Sequence, residues 1–299
     1  MKQATKALYL GLVAGVCIFF TKTRTYADTI YVSNSSGGTI MKFDSSGNGT
    51  VFASGLNQPT GLAFDTSGNL YVANWGNNTI MKFDSSGNGT VFPSGLNEPE
   101  GLAFDTSGNL YVDGPYTSVI VKFNPNWNMS TFASGMNVPY GLTMDSSNNL
   151  YVSNFSNTAH GIGTIMKFDS SGNGTVFASG LNTPYGLTMD SSNNLYMTSG
   201  LNNNIEKFDS SGHGTIIANS GLNEPIGLAF DSSGNLYVAN HGNNTIEKFD
   251  STGHGTIFAS GLAGPMWVAV QIPEPSTWAL LTLGTGTLLG SLRLRRCLS

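Results

Sequence analysis

The middle of the chain is a succession of short apolar or β-branched runs, each cut off by a cluster of Gly, Asn, Asp and Ser. Pro59-Thr60-Gly61-Leu62-Ala63-Phe64, Asn69-Leu70-Tyr71-Val72, Ile80-Met81-Lys82-Phe83 and Thr90-Val91-Phe92 have the length and punctuation of strands rather than helices. Between them, Asp65-Thr66-Ser67-Gly68-Asn69 and Asp84-Ser85-Ser86-Gly87-Asn88 predict tight hairpin turns in which Gly supplies the positive φ. Four antiparallel strands are expected within a unit of this length.

The unit repeats. The run Pro59 to Asp65 returns as Pro99 to Asp105, Pro139 to Asp145, Pro184 to Asp190 and Pro225 to Asp231, and in degraded form as Pro265 to Gln271, at intervals of 40 to 45 residues. Tandem four-stranded units of this size predict an all-β fold, a β-propeller with one blade per unit. A sandwich would have no reason to repeat in this way. Tyr31, Tyr71, Tyr111, Tyr151, Tyr196 and Tyr237 mark six second strands, so the propeller is expected to be six-bladed. The segment before Pro59 lacks a first strand, and Pro265 to Gln271 is a first strand with nothing after it. The N- and C-terminal strands should therefore pair in one blade and close the ring without a free edge. There Trp267 replaces the repeat's Gly and Gln271 its Asp. A bulky residue near the axis is expected to plug the channel or distort the closure.

The pattern Pro-x-Gly-Leu-Ala-Phe-Asp-x-Ser-Gly-Asn-Leu-Tyr-Val-Ala-Asn-x-Gly-Asn-Asn-x-Ile-x-Lys-Phe-Asp resembles the NHL repeat over nearly all of residues 28–271. The resemblance implies that the first strand of each blade lines the central axis. It also implies that the loops before the first strand and after the second form one face. NHL propellers include adhesive and sensor modules as well as lyases and hydrolases, so function has to be argued from the site.

Both ends read as addresses. Lys2 and Lys6 precede the apolar run Ala7 to Phe20, and Thr25-Tyr26-Ala27 is a small-x-small pattern, so residues 1–27 are expected to be a secretory signal peptide. An uncleaved N-terminal anchor is the alternative. At the other end, Pro273-Glu274-Pro275-Ser276-Thr277-Trp278 leads into the apolar run Ala279 to Leu292 and then Arg293, Arg295 and Arg296. Residues 272–299 resemble the PEP-CTERM sorting signal of Gram-negative, exopolysaccharide-producing bacteria. That resemblance implies recognition by an exosortase-type processing enzyme, transient membrane contact through a short transmembrane segment, and delivery to the cell surface, outer membrane or extracellular matrix. The alternative is an ordinary C-terminal membrane anchor, whose apolar run would be longer, about 20 residues. Cys17 and Cys297 lie in these ends, so processing of both would leave no cysteine.

Composition sharpens the choice of partner. The formal charge of −5 is that of the whole chain, but the basic residues crowd the two ends. Residues 28–271 hold six Lys, no Arg and 17 acidic residues, a net of −11. Such a surface repels phosphate, and no nucleic-acid partner is expected.

Positions common to all blades are assigned to the fold: small residues where strands crowd the axis, Tyr and Phe between blades, Asp, Ser and Asn in turns. The single Lys of each blade, such as Lys42 or Lys82, is expected to snorkel from an outer strand. The Asp-Ser-Ser-Gly-Asn turns lack the alternating carboxylates and terminal Glu of a calcium loop, and no metal or other cofactor is expected. Deviations from the repeat carry more information. The residue after the Pro reads Thr60, Glu100, Tyr140, Tyr185, Ile226 and Met266. The loop after the second strand adds Trp75, Asp113, Tyr116, Phe155 and His241, with Asn157 to Gly161 in the fourth blade. Trp75, Glu100, Asp113, Tyr116, Tyr140, Phe155, Tyr185 and His241 are therefore the candidate ligand-binding residues. Aromatic planes beside acids and amides suit sugar or peptide recognition, which makes extracellular polysaccharide or a surface protein the expected partner. No catalytic residue is assigned. His213 and His254 occupy equivalent turns on the opposite face, leaving too few His for the cluster that metal-using NHL-like lyases gather. A metal-free pair of His241 with Glu100 or Asp113 stays open as base and orienter. The expectation is a non-catalytic binding or structural module; the alternative is a propeller lyase or hydrolase, streptogramin lyase-like or lactonase-like.

Overall fold

A computed structural model of the 299-residue chain describes residues 9–13, 16–20, 27–92, 95–114, 116–155 and 162–272. Two units separate, one made of residues 1–27 and 273–299 and the other of Asp28–Ile272. In the first, Tyr9–Val13 pairs antiparallel with Val16–Phe20. The sorting motif Pro273, Glu274, Pro275, Trp278, Arg293, Arg295 and Arg296, the C-terminal apolar run and the Asn157–Gly161 insertion lie outside the described residues. Among the described residues, no helix is long and apolar enough to cross a membrane.

The second unit is six four-stranded antiparallel blades. Blade two shows the plan: Pro59–Phe64, Leu70–Asn74, Thr79–Phe83 and Gly89–Phe92 follow one another from the axis outward. Blade one is composite. Pro265–Gln271 pairs with Thr29–Asn34, which continues through Thr39–Phe43 to Gly49–Ser54. Its register, Val268 opposite Val32 and Gln271 opposite Thr29, keeps the same bulge after the Pro that blades two, five and six show. Trp267 therefore does not distort the closure. It is 5% exposed and joins Leu62, Ile226 and Tyr31 in one core cluster, filling space near the inner strands.

Between blades, aromatic rings carry the packing. The second-strand Tyr meets the outer-strand Phe of its own blade, as in Tyr31–Phe52 at 5.1 Å, Tyr111–Phe132 at 4.8 Å, Tyr151–Phe177 at 5.2 Å and Tyr237–Phe258 at 4.9 Å, all edge-to-face. Each Lys lies on the third strand, one strand inside the outer edge, and sets its ammonium over that Tyr ring at 5.1 to 5.6 Å. Lys82, Lys167 and Lys207 also reach the turn carboxylates Asp65, Asp145 and Asp190. The lysine stem thus covers the ring while its charge stays near water. The turn aspartates work locally: Asp65 Oδ1 accepts the backbone N–H groups of Ser67 and Asn69, both at 2.9 Å.

Blade five breaks the aromatic pattern. Its outer strand Gly214–Ala218 carries Ile217 where the others carry Phe, so Tyr196 has no edge-to-face partner there. The residue that overhangs this seam from blade six is Gly253, whereas Trp127 fills the seam between blades two and three, 4.5 Å from Phe92. A groove of about 770 Å³ lined by Tyr196, Ile217, Phe230 and Phe249 results, on the face opposite the long loops.

Two stability measurements check this account. Trp267→Ala should lower unfolding free energy in urea by about 3–5 kcal/mol, the usual loss for a buried aromatic, because no neighbour can refill that volume. Ile217→Phe should raise it by about 1 kcal/mol by restoring the missing ring pair, and an unchanged midpoint would mean that the groove is not a packing defect.

Candidate functional site

The loop-face site grows out of the bulge at the start of each inner strand. In all six blades the residue before the Pro has positive φ: Gln58, Glu98, Val138, Thr183, Glu224 and Gly264. Pre-proline residues normally stay extended, so this left-handed turn is a cost that every blade carries, about 1–3 kcal/mol where the residue is not Gly. It swings the chain into the inner strand and turns the side chain after the Pro toward the axis. Five such residues, Thr60, Glu100, Tyr140, Tyr185 and Met266, line a cavity of about 320 Å³.

The wall is completed by Trp75, Tyr116 and Phe155 from the loops after the second strands, together with Ser35 and Val138. Six of the eight residues singled out in the sequence thus meet in one cavity. Phe155 and Tyr185 stack with parallel planes at 5.9 Å, and Tyr140 tilts against Tyr185 at 4.8 Å. Gly200 stands where Trp75, Phe155 and His241 stand in their blades, and a Cβ there would collide with the Tyr185 ring. The ring position therefore depends on that glycine. Tyr116 is 71% exposed at the mouth.

Glu100 is only 2% exposed and hydrogen-bonds the Tyr140 hydroxyl. Burial, with the Asp113 and Glu98 carboxyls nearby, pushes Glu100 well above the usual carboxylate range. Tyr140 is pushed up as well, first by burial and then by the charge of Glu100.

Asp113 is not in the wall but buried beside Glu100, and its position explains its environment. In blades four and five the bulge glycine donates its N–H to a second-strand hydroxyl: Gly141 to Ser153 and Gly186 to Thr198, both at 2.9 Å. Those hydroxyls donate onward to the next blade, Ser153 to the Tyr185 carbonyl at 2.6 Å and Thr198 to the Ile226 carbonyl at 2.5 Å. Ser33 accepts from Trp267 in the same way. Asp113 takes this place in blade three. Its Oδ1 accepts the Gly101 N–H at 2.6 Å, and its Oδ2 is buried without a partner. A carboxyl can donate onward as the hydroxyls do only when protonated, and burial pushes Asp113 up to about 7.

His241 opens the equivalent turn of blade six, where its N–H donates to the Glu224 carbonyl at 3.1 Å. It does not line the cavity, and its Nδ1 is buried with no hydrogen bond. The described residues contain no group of three His, Cys, Asp or Glu placed to hold a metal ion. Sequence reasoning passed over Ser35, Val138 and Gly200. Only Gly200 carried a signal, as the one glycine in a column of bulky loop residues.

Comparison with known proteins now has a geometry to meet. The NHL repeat model matches residues 56–83 and 222–249, and the PEP-CTERM protein-sorting motif matches residues 271–296. The chain is an NHL-repeat propeller with a C-terminal PEP-CTERM motif. That motif implies recognition by an exosortase and indicates export in Gram-negative bacteria. A search of the curated proteins finds no match. Among solved structures, this NHL propeller is similar to a chain of a nidogen/laminin complex, with a TM-score of 0.72, 19% identity, and coverage of 81% of this chain and 98% of that one. It is also similar to a gluconolactonase from Xanthomonas campestris (TM-score 0.62, 16% identity, 79% and 92% covered) and to virginiamycin B lyase from Staphylococcus aureus (TM-score 0.57, 18% identity, 70% and 73% covered). At these identities the likeness establishes the propeller fold alone.

The Asp113 environment makes a pH prediction. A carboxyl raised from about 4 unfolded to about 7 folded favours the folded state least once both forms are ionised. Stability is therefore drawn off as pH rises from about 4 to 7. Asp113→Ser, the residue of blades one and four, should stabilise the protein by roughly 1–3 kcal/mol at pH 8 and by little at pH 4. Thermal unfolding at the two pH values checks it; an equal shift at both would contradict a protonated Asp113.

Proposed function

We propose that this is an exported cell-surface or matrix propeller that acts as a non-catalytic binding module through its loop-face cavity, with extracellular polysaccharide as its partner. The observation that supports this most is the convergence of Trp75, Tyr140, Phe155 and Tyr185 around one cavity, although they come from three different blades. Flat apolar faces stack on sugar rings, while hydroxyls and carboxyls on the same wall fix orientation. The PEP-CTERM motif fits a role outside the cell, and signal-peptide cleavage near Ala27 fits the same route. Surface protein is the other partner that this cavity chemistry suits. Repeated weak contacts on a matrix polymer would add through effective concentration rather than through one tight site.

The buried acids favour one second reading. Two carboxyls in one low-dielectric site, both pushed up by burial, are an arrangement that an acid–base catalyst can use. Turnover of a lactone or a streptogramin-type cyclic depsipeptide by the purified protein, abolished in Glu100→Gln, would establish that reading instead.

For the binding reading, Trp75→Ala combined with Tyr140→Ala should weaken pull-down of host extracellular polysaccharide by about tenfold or more, the scale of losing two aromatic anchors. Retention of full binding by the double variant would place the contact elsewhere.

A further inference from the structure

We infer that the loop-face cavity takes the ammonium group of an amino sugar, with Glu100 as its counter-ion and the surrounding rings as its cage. The inference rests on the carbohydrate-binding reading above and names the class of sugar. Its starting point is a charge imbalance built into the site. Glu100 is buried in the cavity wall, and the groups that face it are the Tyr140 hydroxyl and the Asp113 and Glu98 carboxyls, with the Tyr116 and Tyr185 phenols acting on its neighbours. Glu98 Oε2 and Asp113 Oδ2 are also buried without hydrogen-bond partners. Among the described residues, no Lys, Arg or His lines the cavity. One acid in the wall, two more close to it and no base among the described residues give a site that a cation complements and an anion or a uronic acid does not.

The rings choose among cations. Trp75, Tyr116, Tyr140, Phe155 and Tyr185 present π faces or edges to the space above Glu100, which is the environment that favours an alkylammonium over a hydrated metal ion. The carboxyls do not assemble into a group of three placed to hold a metal. At about 320 Å³ the cavity is at the small end of the roughly 300–1,000 Å³ range of ligand sites, sized for one residue of a polymer. Ser35 and the tyrosine hydroxyls around it match the hydroxyls of a pyranose, whereas the stem of a lysine would leave them facing methylenes.

The proton balance follows. Burial favours the neutral form of Glu100 in the free protein, and the ammonium ligand favours the ionised form. The carboxyl proton leaves to the buffer on binding, so affinity rises with pH until the amine loses its own proton.

Titration calorimetry of the full chain with a β-1,4-linked glucosamine hexamer and its N-acetylated counterpart, in buffers of different ionisation heat, tests the assignment. The glucosamine hexamer should bind about tenfold tighter or more, the scale of a charge-assisted contact, and release close to one proton. Glu100→Gln should remove both the preference and the proton release. If that variant does not fold, Tyr140→Phe, which frees Glu100 of its hydrogen bond, should narrow the preference in the same direction. Equal binding of the two hexamers by the natural chain would overturn the amine assignment and leave the carbohydrate reading standing. Failure of both hexamers to bind would overturn the two together. A trilysine peptide that displaces the glucosamine hexamer at lower concentration than the hexamer itself would overturn the sugar as the carrier of the amine.

Discussion

Six inner strands crowding one axis is the constraint on which the rest of this molecule depends. Where they meet, a Cβ on Gly61 would fall on the Glu100 carbonyl, one on Gly141 on the Tyr185 carbonyl, and one on Gly186 on the Ile226 carbonyl. Glycine at that step is what lets neighbouring backbones approach. The approach breaks the ladder beside the Pro, and in four of the six blades a second-strand side chain accepts the freed N–H. Ser33, Ser153 and Thr198 meet it with hydroxyls, and two of these pass the bond on to the next blade. The ring is thus stitched at its centre by hydrogen bonds and outside them by edge-to-face aromatic pairs.

The same constraint makes the loop-face cavity. Because the bulge turns the residue after each Pro toward the axis, six side chains converge there without being needed by the blade, and each is free to differ. Thr60, Glu100, Tyr140, Tyr185 and Met266 use that freedom to build the cavity. Asp113 shows the cost of using it one step deeper, where a carboxyl replaces a stitching hydroxyl and leaves an oxygen unpaired. A position optimised for stability would keep Ser there. The site therefore carries two features that the blade does not need: a buried acid pair, and rings held apart by the Gly200 vacancy.

The periodic part of this structure was legible because each strand, turn and core position is written six times. Blade count and closure by residues 29–34 with 265–271 follow from register, while the placement of the first strand at the axis is what the resemblance to the NHL repeat implies. What was not legible depends on reach and depth. Trp75 and His241 hold the same sequence position, but only Trp75 lines the cavity. Asp113 reads as a loop acid by position and is in fact turned under the floor, because the bulge of Gly101 calls its carboxyl inward. Trp267 looked like an obstacle to closure, yet the ring has one place where such a volume fits, against Leu62 and Ile226. The seam at Ile217 was readable as a lost Phe, but its volume appears only when Gly253 is seen to face it.

The central claim is that the loop-face cavity, and not the wider groove between blades five and six, is where this propeller meets its ligand. Backbone and side-chain NMR shift mapping during titration with host exopolysaccharide fragments tests that claim most directly. The account predicts shifts concentrated at Trp75, Glu100, Tyr140, Phe155 and Tyr185, with Tyr196, Ile217 and Phe230 unmoved. Shifts centred on the second group, with the first unchanged, would contradict it.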